Sequence, residues 1–283
     1  MGKMVLAAKI THVPTMVMSE QDGPIKGKRQ AAIDGHREIA RRARAAGADT
    51  FLVLDTHWLI NNGYHINANG HYKGLLTSSE FPHFIRDMPF EYDGNPELGR
   101  LIAAQASADG VPTMSHSLDS LDLEYGTLVP MHFMNPEGDL KVVSVAALCT
   151  VHSVESSRKV GAAIRKAIEA SDSNVALLAS GSLSHKIWPN DIYDQNNGTF
   201  TISSAFNEVV DRRVLEMWRN GETETFLKML PEYARHCTGE GLMHDTIMLY
   251  GALGWDAYRG RAEIITEYFP SSGTGQTNVL FEL

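Results

Sequence analysis

Apolar runs alternate with segments of helical periodicity along this chain, and the alternation predicts an α/β fold. Residues 4–10, 50–55, 141–148 and 175–180 form short, nearly continuous apolar runs, as expected of strands buried inside a parallel sheet. Helical patterns occupy residues 30–46, 95–110, 157–170, 203–220, 222–230 and 243–253. We therefore expect a single domain over residues 1–283, with a central mostly parallel or mixed sheet flanked by helices.

Two further segments do not fit the simple alternation. Residues 61–95 carry no clear period and predict a long irregular loop, of the kind that often forms a lid or a binding wall. Near the end of the chain, residues 263–269 and 277–281 predict two strands joined by a turn at residues 271–276.

Three of the buried runs are followed closely by a histidine. His12 follows the first, His57 the second and His185 the run at 175–180. Parallel strands bring their carboxyl ends to one edge of a sheet, where ligands bind in open α/β folds. One such histidine is usually structural, but three placed alike favour a site, and two histidines with a carboxylate suit non-haem iron.

The residues alone leave the carboxylate undecided between two candidates. Asp55 lies two positions before His57 and shares its face of the strand. Glu240 lies between two glycines, which allow the backbone to turn sharply around a metal.

Composition narrows the class of protein. The chain has 283 residues, a net charge of −9 and two cysteines. The negative charge argues against nucleic-acid binding, and the few cysteines fit a reducing compartment. No apolar run reaches the roughly 20 residues that a membrane span needs, and no secretory leader is evident. These features predict a cytoplasmic protein without a membrane or nucleic-acid partner.

Seven motifs resemble, in order, those of the class III extradiol ring-cleavage dioxygenases, the family of the protocatechuate 4,5-dioxygenase β subunit. They are AAKITHVP at 7–14, DTHW at 55–58, FPHFIRD at 81–87, EYGTLVP at 124–130, ASGSLSH at 179–185, GEGLMHD at 239–245 and SSGTGQ at 271–276. The resemblance implies metal ligands at His12, His57 and Glu240, which leaves Asp55 in a supporting role. It implies Fe(II) as the cofactor, with Mn(II) as the alternative, and His185 as the acid–base residue.

The resemblance also implies the substrates, a small-molecule catechol and O2, and assembly as a homo-oligomer. It favours 3,4-dihydroxyphenylacetate, opened to a muconate semialdehyde, and leaves other catechols and dihydroxypyridines open. Tyr125 departs from the pattern, because some relatives carry a histidine there. A tyrosine is a poor base near pH 7, so Tyr125 either orients the catechol or packs as an aromatic residue.

Four residues are candidates for substrate binding. A substrate carboxylate needs a cation or several hydrogen-bond donors, which suggests Arg86 or the hydroxyl-rich turn containing Ser272 and Thr274. His244, close in sequence to Glu240, either touches the site or supports the helix that follows.

Two other classes of function fit the same residues. Two histidines and a glutamate also suit a catalytic zinc ion, as in a hydrolase. The scaffold could equally serve a binding protein without catalysis, since fold alone does not fix function. An acid–base residue at His185 favours the enzyme.

Overall fold

The computed structural model describes residues 1–283 and contains ten strands and eight α-helices. The strands are β1 (Lys3–Ile10), β2 (Thr50–Leu59), β3 (Tyr64–Asn67), β4 (His71–Leu76), β5 (Met88–Asp93), β6 (Thr113–His116), β7 (Lys141–Leu148), β8 (Asn174–Ser180), β9 (Ala262–Ser271) and β10 (Thr274–Phe281). The helices are α1 (Thr15–Glu20), α2 (Gln30–Ala45), α3 (Pro96–Ala108), α4 (Tyr125–Met134), α5 (Val154–Ala170), α6 (Ala205–Asn220), α7 (Thr223–His236) and α8 (His244–Leu253).

Eight strands form one mixed sheet in the order β6-β3-β7-β2-β8-β1-β10-β9. The four central strands β7, β2, β8 and β1 run parallel to one another. Strand β10 is antiparallel to both β1 and β9, and β3 is antiparallel to β7. The sequence-based expectation of an α/β fold with a mixed sheet is confirmed, and the carboxyl ends of the four central strands share one edge.

Helices cover both faces of the sheet. Along β1, Ala7 points into the apolar cluster that α3, α5, α6, α7 and α8 help to form. Leu6, Ala8 and Ile10 point into the opposite cluster, which contains residues of α1, α2 and α4. This strict alternation of side chains, with apolar residues on both faces, explains why the central strands read as continuous apolar runs.

The expectation of an irregular loop at residues 61–95 is wrong. Strand β3 joins the main sheet between β6 and β7, and β4 pairs with β5 in a separate two-stranded hairpin. In β5 buried and exposed residues alternate, with Met88, Phe90 and Tyr92 inside, so a period of two was present but short. Helix α4 also went unpredicted, because it is apolar on all sides and contains Pro130.

The last two strands meet in a two-residue hairpin above the carboxyl end of β1. Ser271 pairs with Thr274, and the two residues between them have positive φ angles of 55° and 94°. Such angles suit a type I′ turn, for which glycine at position 273 is favourable. Because β10 is paired with β1, the tip of this hairpin lies at the same edge of the sheet as residues 11 and 12.

His36 lies in α2 and is fully buried. Its Nδ1 lies 2.9 Å from the carbonyl oxygen of Ala32, and its Nε2 makes no hydrogen bond. Burial lowers the pKa of His36 from 6.5 to about 4. The folded protein therefore favours the neutral imidazole more than the unfolded chain does.

This shift predicts a loss of stability in mild acid. Since the folded pKa lies below the unfolded one, the stabilisation is present above pH 6.5 and is lost as the pH falls toward 4. At about pH 5 the loss from this one group should be on the order of 2 kcal/mol. Urea unfolding at about pH 7.5 and about pH 5 should show a larger loss for the natural protein than for His36→Gln. Equal losses in the two proteins would contradict the assignment.

Candidate metal centre

The structure brings His12, His57 and Glu240 together at the carboxyl edge of the sheet. One potential ligand atom from each of the three lies within 4.8 Å of the others. Oε1 of Glu240 lies 3.2 Å from Nε2 of His12 and 3.3 Å from Nε2 of His57. The His12 and Glu240 side chains are buried, and that of His57 is 13% exposed. The three side chains thus present converging donors in a largely dry environment.

Glu240 reaches this edge from a strained turn between α7 and α8. The three residues after it, Gly241, Leu242 and Met243, all have positive φ angles, of 55°, 54° and 63°. Left-handed backbone is costly for the two that are not glycine and is typically retained at functional sites. At position 241 a Cβ atom would lie only 3.0 Å from a backbone oxygen of β7, so glycine also fits the space.

Neighbouring donors hold the Glu240 carboxylate in place. Thr56 Oγ1 lies 2.8 Å from Oε1, and the backbone N–H of Ser182 donates to Oε2. Burial alone would raise the pKa of Glu240, but the nearby imidazoles of His12, His185 and His57 hold it well below its usual range. The group is therefore ionised at neutral pH and offers negative charge to the cavity.

Hydrogen bonds at Nδ1 orient both histidines as metal ligation requires. Ser180 Oγ donates to the carbonyl oxygen of Gly126 at 2.5 Å, so it accepts from Nδ1–H of His12 at 3.0 Å. Glu80, which can only accept when ionised, lies 3.2 Å from Nδ1 of His57. Each ring therefore keeps a proton on Nδ1 and directs Nε2 toward Glu240, where a metal ion would take the place of any proton on Nε2.

The charge around His57 also favours a cation. Burial lowers the pKa of His57, but hydrogen bonds to Glu240 and Glu80 outweigh burial and raise it to about 10. A position that stabilises a proton so strongly also stabilises a metal ion in its place. The donor set, the ring orientations and the charge thus all fit a divalent metal.

His185 lines the same cavity from the loop after β8. Its Nε2 lies 3.9 Å from Oε1 of Glu240, and its side chain is 31% exposed. Burial lowers the pKa of His185, so the imidazole is neutral at pH 7 and able to accept a proton.

Tyr125 begins α4 and packs against His57, a candidate ligand, with the two rings tilted by 35°. Its ring centroid lies 3.7 Å from that of His57 and 5.6 Å from that of His12. Burial and the surrounding carboxylates raise the pKa of Tyr125 far above its usual value. Its hydroxyl therefore stays protonated and can donate a hydrogen bond, but it cannot serve as a base.

The substrate-binding candidates are divided between the cavity and other parts of the molecule. Ser272 and Thr274 line the cavity. Arg86 does not, because it lies on the loop before β5 with a side chain 78% exposed beside Asp87. His244 also lies outside the lining, since its Nδ1 is 2.6 Å from the hydroxyl of Ser157 on α5.

The structure places Asp55 in a supporting position. One carboxylate oxygen accepts from the backbone N–H of His57 at 2.7 Å, and the other accepts from Thr127 at 2.6 Å. Asp55 thus fixes the backbone that carries His57. Gly126 permits this arrangement, because a Cβ there would come within 2.1 Å of the carboxylate.

Sequence reasoning missed several residues of the cavity wall. Glu80, Phe81, Ile187 and Gln276 line it together with the predicted residues. Glu80 lies in a segment without clear periodicity, immediately before the FPHFIRD motif at residues 81–87. Only its proximity to that motif could have indicated a role for it.

A buried aspartate anchors the loop that carries His185. Asp211 of α6 accepts hydrogen bonds from the hydroxyls of Ser184 at 2.7 Å, Tyr233 at 2.7 Å and Tyr268 at 3.0 Å. Ser184 immediately precedes His185, and its carbonyl oxygen accepts from the backbone of Gly275 at 3.0 Å. The position of His185 therefore depends on contacts from α6, α7, β9 and β10.

Comparison with known proteins identifies the class. Residues 6–282 match the family described as the catalytic LigB subunit of aromatic ring-opening dioxygenase. The chain belongs to this family of class III extradiol dioxygenases, as its motifs indicated, and it is a ring-opening dioxygenase.

Particular relatives narrow the comparison. The chain is 54% identical over 261 residues to the 3,4-dihydroxyphenylacetate 2,3-dioxygenase of Escherichia coli, covering 92% of this chain and 94% of that protein. It is 26% identical over 257 residues to a 2-aminophenol 1,6-dioxygenase beta subunit of a Pseudomonas species, covering 84% and 82%.

Structural comparison agrees on the fold. The crystal structure of an uncharacterised protein from Escherichia coli K12 superposes with a TM-score of 0.62 at 14% identity, covering 98% of this chain and all of the other. In the present structure, every helix is too short or too polar to cross a membrane.

The Asp211 network predicts a large effect of a single substitution. Asp211→Ala should lower the free energy of unfolding by about 2–4 kcal/mol, because two buried hydroxyls and one partly buried hydroxyl lose their acceptor. Asp211→Asn, which keeps the volume, should have a smaller effect, and the exposed Asp194→Ala provides the control. Urea unfolding measures all three variants. If Asp211→Ala is no less stable than the control, the network does not support this loop.

Proposed function

We propose that this chain is an Fe(II)-dependent dioxygenase that opens the ring of 3,4-dihydroxyphenylacetate to 5-carboxymethyl-2-hydroxymuconate semialdehyde. The observation that carries the proposal is the convergence of His12, His57 and Glu240 beside the neutral His185 in one cavity. The 54% identity to a relative named for this substrate supports the choice of ring substituent.

His12, His57 and Glu240 would hold the metal through two imidazole nitrogens and one carboxylate. When bound, Fe(II) supplies open coordination positions for the catechol and for dioxygen. The same ligands accept Mn(II), so the choice of iron rests on the reaction class rather than on the donor set. Ser180 and Glu80 keep both imidazoles in their ligating orientation.

His185 would act as the acid–base residue. Its neutral imidazole lines the cavity and can take a proton from a catechol hydroxyl and return it later in the reaction. Tyr125 would orient the ring as a hydrogen-bond donor, because Tyr125 lines the same cavity and its hydroxyl stays protonated. Ser272 and Thr274 would contact the substituent of the substrate from the tip of the β9–β10 hairpin.

Metal retention tests the ligand assignment. His12→Ala, His57→Ala and Glu240→Ala should each reduce bound Fe(II) from about one ion per chain to well below stoichiometric, because a ligand is lost. The measurement is elemental analysis after anaerobic loading and gel filtration, with circular dichroism to confirm folding. His236→Ala, which changes a 61% exposed histidine of α7, is the matched control. A variant that retains stoichiometric iron would remove that residue from the ligand set.

Turnover tests the role of His185. His185→Phe should lower kcat by roughly 10²–10⁴-fold while iron stoichiometry is retained, because the acid–base group is lost. The rate is measured as oxygen uptake and as formation of the yellow product. His236→Phe is the control. Full turnover by His185→Phe would exclude it from proton transfer. Failure of the natural iron-loaded protein to consume oxygen with 3,4-dihydroxyphenylacetate, other catechols or 2-aminophenol would refute the proposed function.

A further inference from the structure

The cavity lacks a cationic side chain for the carboxylate of the proposed substrate. None of its 14 lining residues is lysine or arginine, and two of them, Glu80 and Glu240, are acidic. Arg86, the arginine that the sequence suggested, is largely exposed and outside the lining. An anionic substituent bound there would need compensating charge from behind the cavity wall.

Arg29 supplies a buried positive charge close to that wall. The residue is 5% exposed, and its guanidinium lies between the rings of Phe200 and Phe269, 5.0 Å from each centroid. Burial lowers the pKa of Arg29 to about 10, so the group is charged at neutral pH. The one ionisable group whose charge acts appreciably on it is Tyr193, and no carboxylate pairs with it. A buried arginine without an acidic partner is unusual and points to an anion that arrives from outside the chain.

A chain of hydroxyls connects Arg29 to the cavity. Nε of Arg29 donates to Thr15 Oγ1 at 3.0 Å, and Thr15 Oγ1 lies 3.4 Å from Ser271 Oγ, a long contact. Because the Thr15 oxygen accepts from Arg29, its own proton is free to point toward Ser271. Ser271 lines the cavity, and its hydroxyl makes no other hydrogen bond, so its proton is free to point into the cavity.

A second path runs from Arg29 to the same hairpin tip. Nη2 of Arg29 donates to the backbone carbonyl of Thr199 at 2.7 Å. The Tyr193 hydroxyl lies 3.3 Å from the Thr199 side chain and 2.9 Å from Ser272 Oγ, which also lines the cavity. Arg29 therefore supports both serines of the tip. Three of its five N–H donors, two on Nη1 and one on Nη2, stay uncommitted.

We propose that Arg29 is a positioning residue for the carboxylate of the substrate, acting through Thr15 and Ser271 to aim hydroxyl donors at it and to offset its charge. The inference rests on the proposed function, because only a catechol that bears a carboxylate has the group to be positioned. A buried charge is screened little by salt or water, so its effect reaches the cavity through one layer of hydroxyls.

The test compares two catechols with the full-length, Fe(II)-loaded protein. Arg29→Met should raise KM for 3,4-dihydroxyphenylacetate roughly tenfold with little change in kcat, the size expected for one charge-assisted hydrogen bond. The KM for 4-methylcatechol, which has no carboxylate, should rise much less. Arg29→Lys, which keeps the charge, should recover part of the lost affinity for 3,4-dihydroxyphenylacetate. A merely structural role of Arg29 predicts the same change in KM for both catechols.

Two further variants separate this role from packing. Thr15→Val keeps the shape of the side chain and leaves Arg29 in place, so it should raise KM for the carboxylate substrate even if Arg29→Met does not fold. Arg44→Met is the matched control, because Arg44 is a partly buried arginine of α2 that pairs with Asp139. Equal effects of Thr15→Val or Arg29→Met on the two catechols would overturn the proposal.

A binding measurement keeps the test independent of turnover. The ligand is 4-hydroxyphenylacetate, which carries the carboxylate but is not a catechol, and calorimetry measures its affinity. The affinity should fall roughly tenfold in Arg29→Met and Thr15→Val but not in Arg44→Met. Unchanged affinity in the first two variants would overturn the role of Arg29. If the natural protein opens no ring, the proposed function is refuted instead. The calorimetry would then still show whether Arg29 contributes to binding of the carboxylate.

Discussion

The ionised carboxylate of Glu240, buried at the edge of the sheet, is the constraint around which the rest of the site is arranged. It is 4% exposed, and a carboxylate so deeply buried is unstable unless opposite charge and hydrogen-bond donors surround it. The chain provides donors near two strand ends, Thr56 in the second half of β2 and the backbone of Ser182 after β8. It also provides the imidazoles of His12 and His57. The strained turn at residues 241–243 is the cost of bringing this one group to the other strand ends.

A second buried charge pair ties the elements of the site together from behind. Lys9 of β1 and Asp245 of α8 form a fully buried ion pair. A Cβ atom at Gly181 would lie 2.8 Å from the carboxylate and 3.0 Å from the ammonium, so the loop after β8 passes directly over the pair. A buried ion pair is weak evidence for added stability, but its directional contacts can fix the relative placement of elements. Here the pair links the strand before His12, the loop before His185 and the helix after Glu240.

The sequence predicted well those features that depend on local burial. Continuous apolar runs follow from strands covered on both faces, and the histidines after them follow from the shared carboxyl edge of parallel strands. It predicted poorly what depends on distant contacts. The residues alone could not choose between Asp55 and Glu240, because Glu240 meets the site through a turn that is 184 positions from its partner Thr56. The sequence suggested Arg86 and not Arg29 as a cation for the substrate carboxylate, again because the informative contacts are distant. Arg29 donates to Thr199, which is 170 positions away, and such a contact leaves no local pattern in the sequence.

The cavity has two ends built from different parts of the fold. His12, His57 and Glu240 converge at one end, near the carboxyl ends of the parallel strands. The β9–β10 hairpin, which is antiparallel to β1, lines the other end. Gln276 joins the two ends, because its side chain donates to Thr274 at 2.7 Å and accepts from Thr11, the residue before His12, at 2.5 Å. A change at the hairpin tip would therefore act on that end of the cavity without moving His12, His57 or Glu240, whereas a change at Gln276 would act on both ends. Such a division would let one scaffold serve relatives named for a carboxylated catechol and for an aminophenol, because the two ends could change separately.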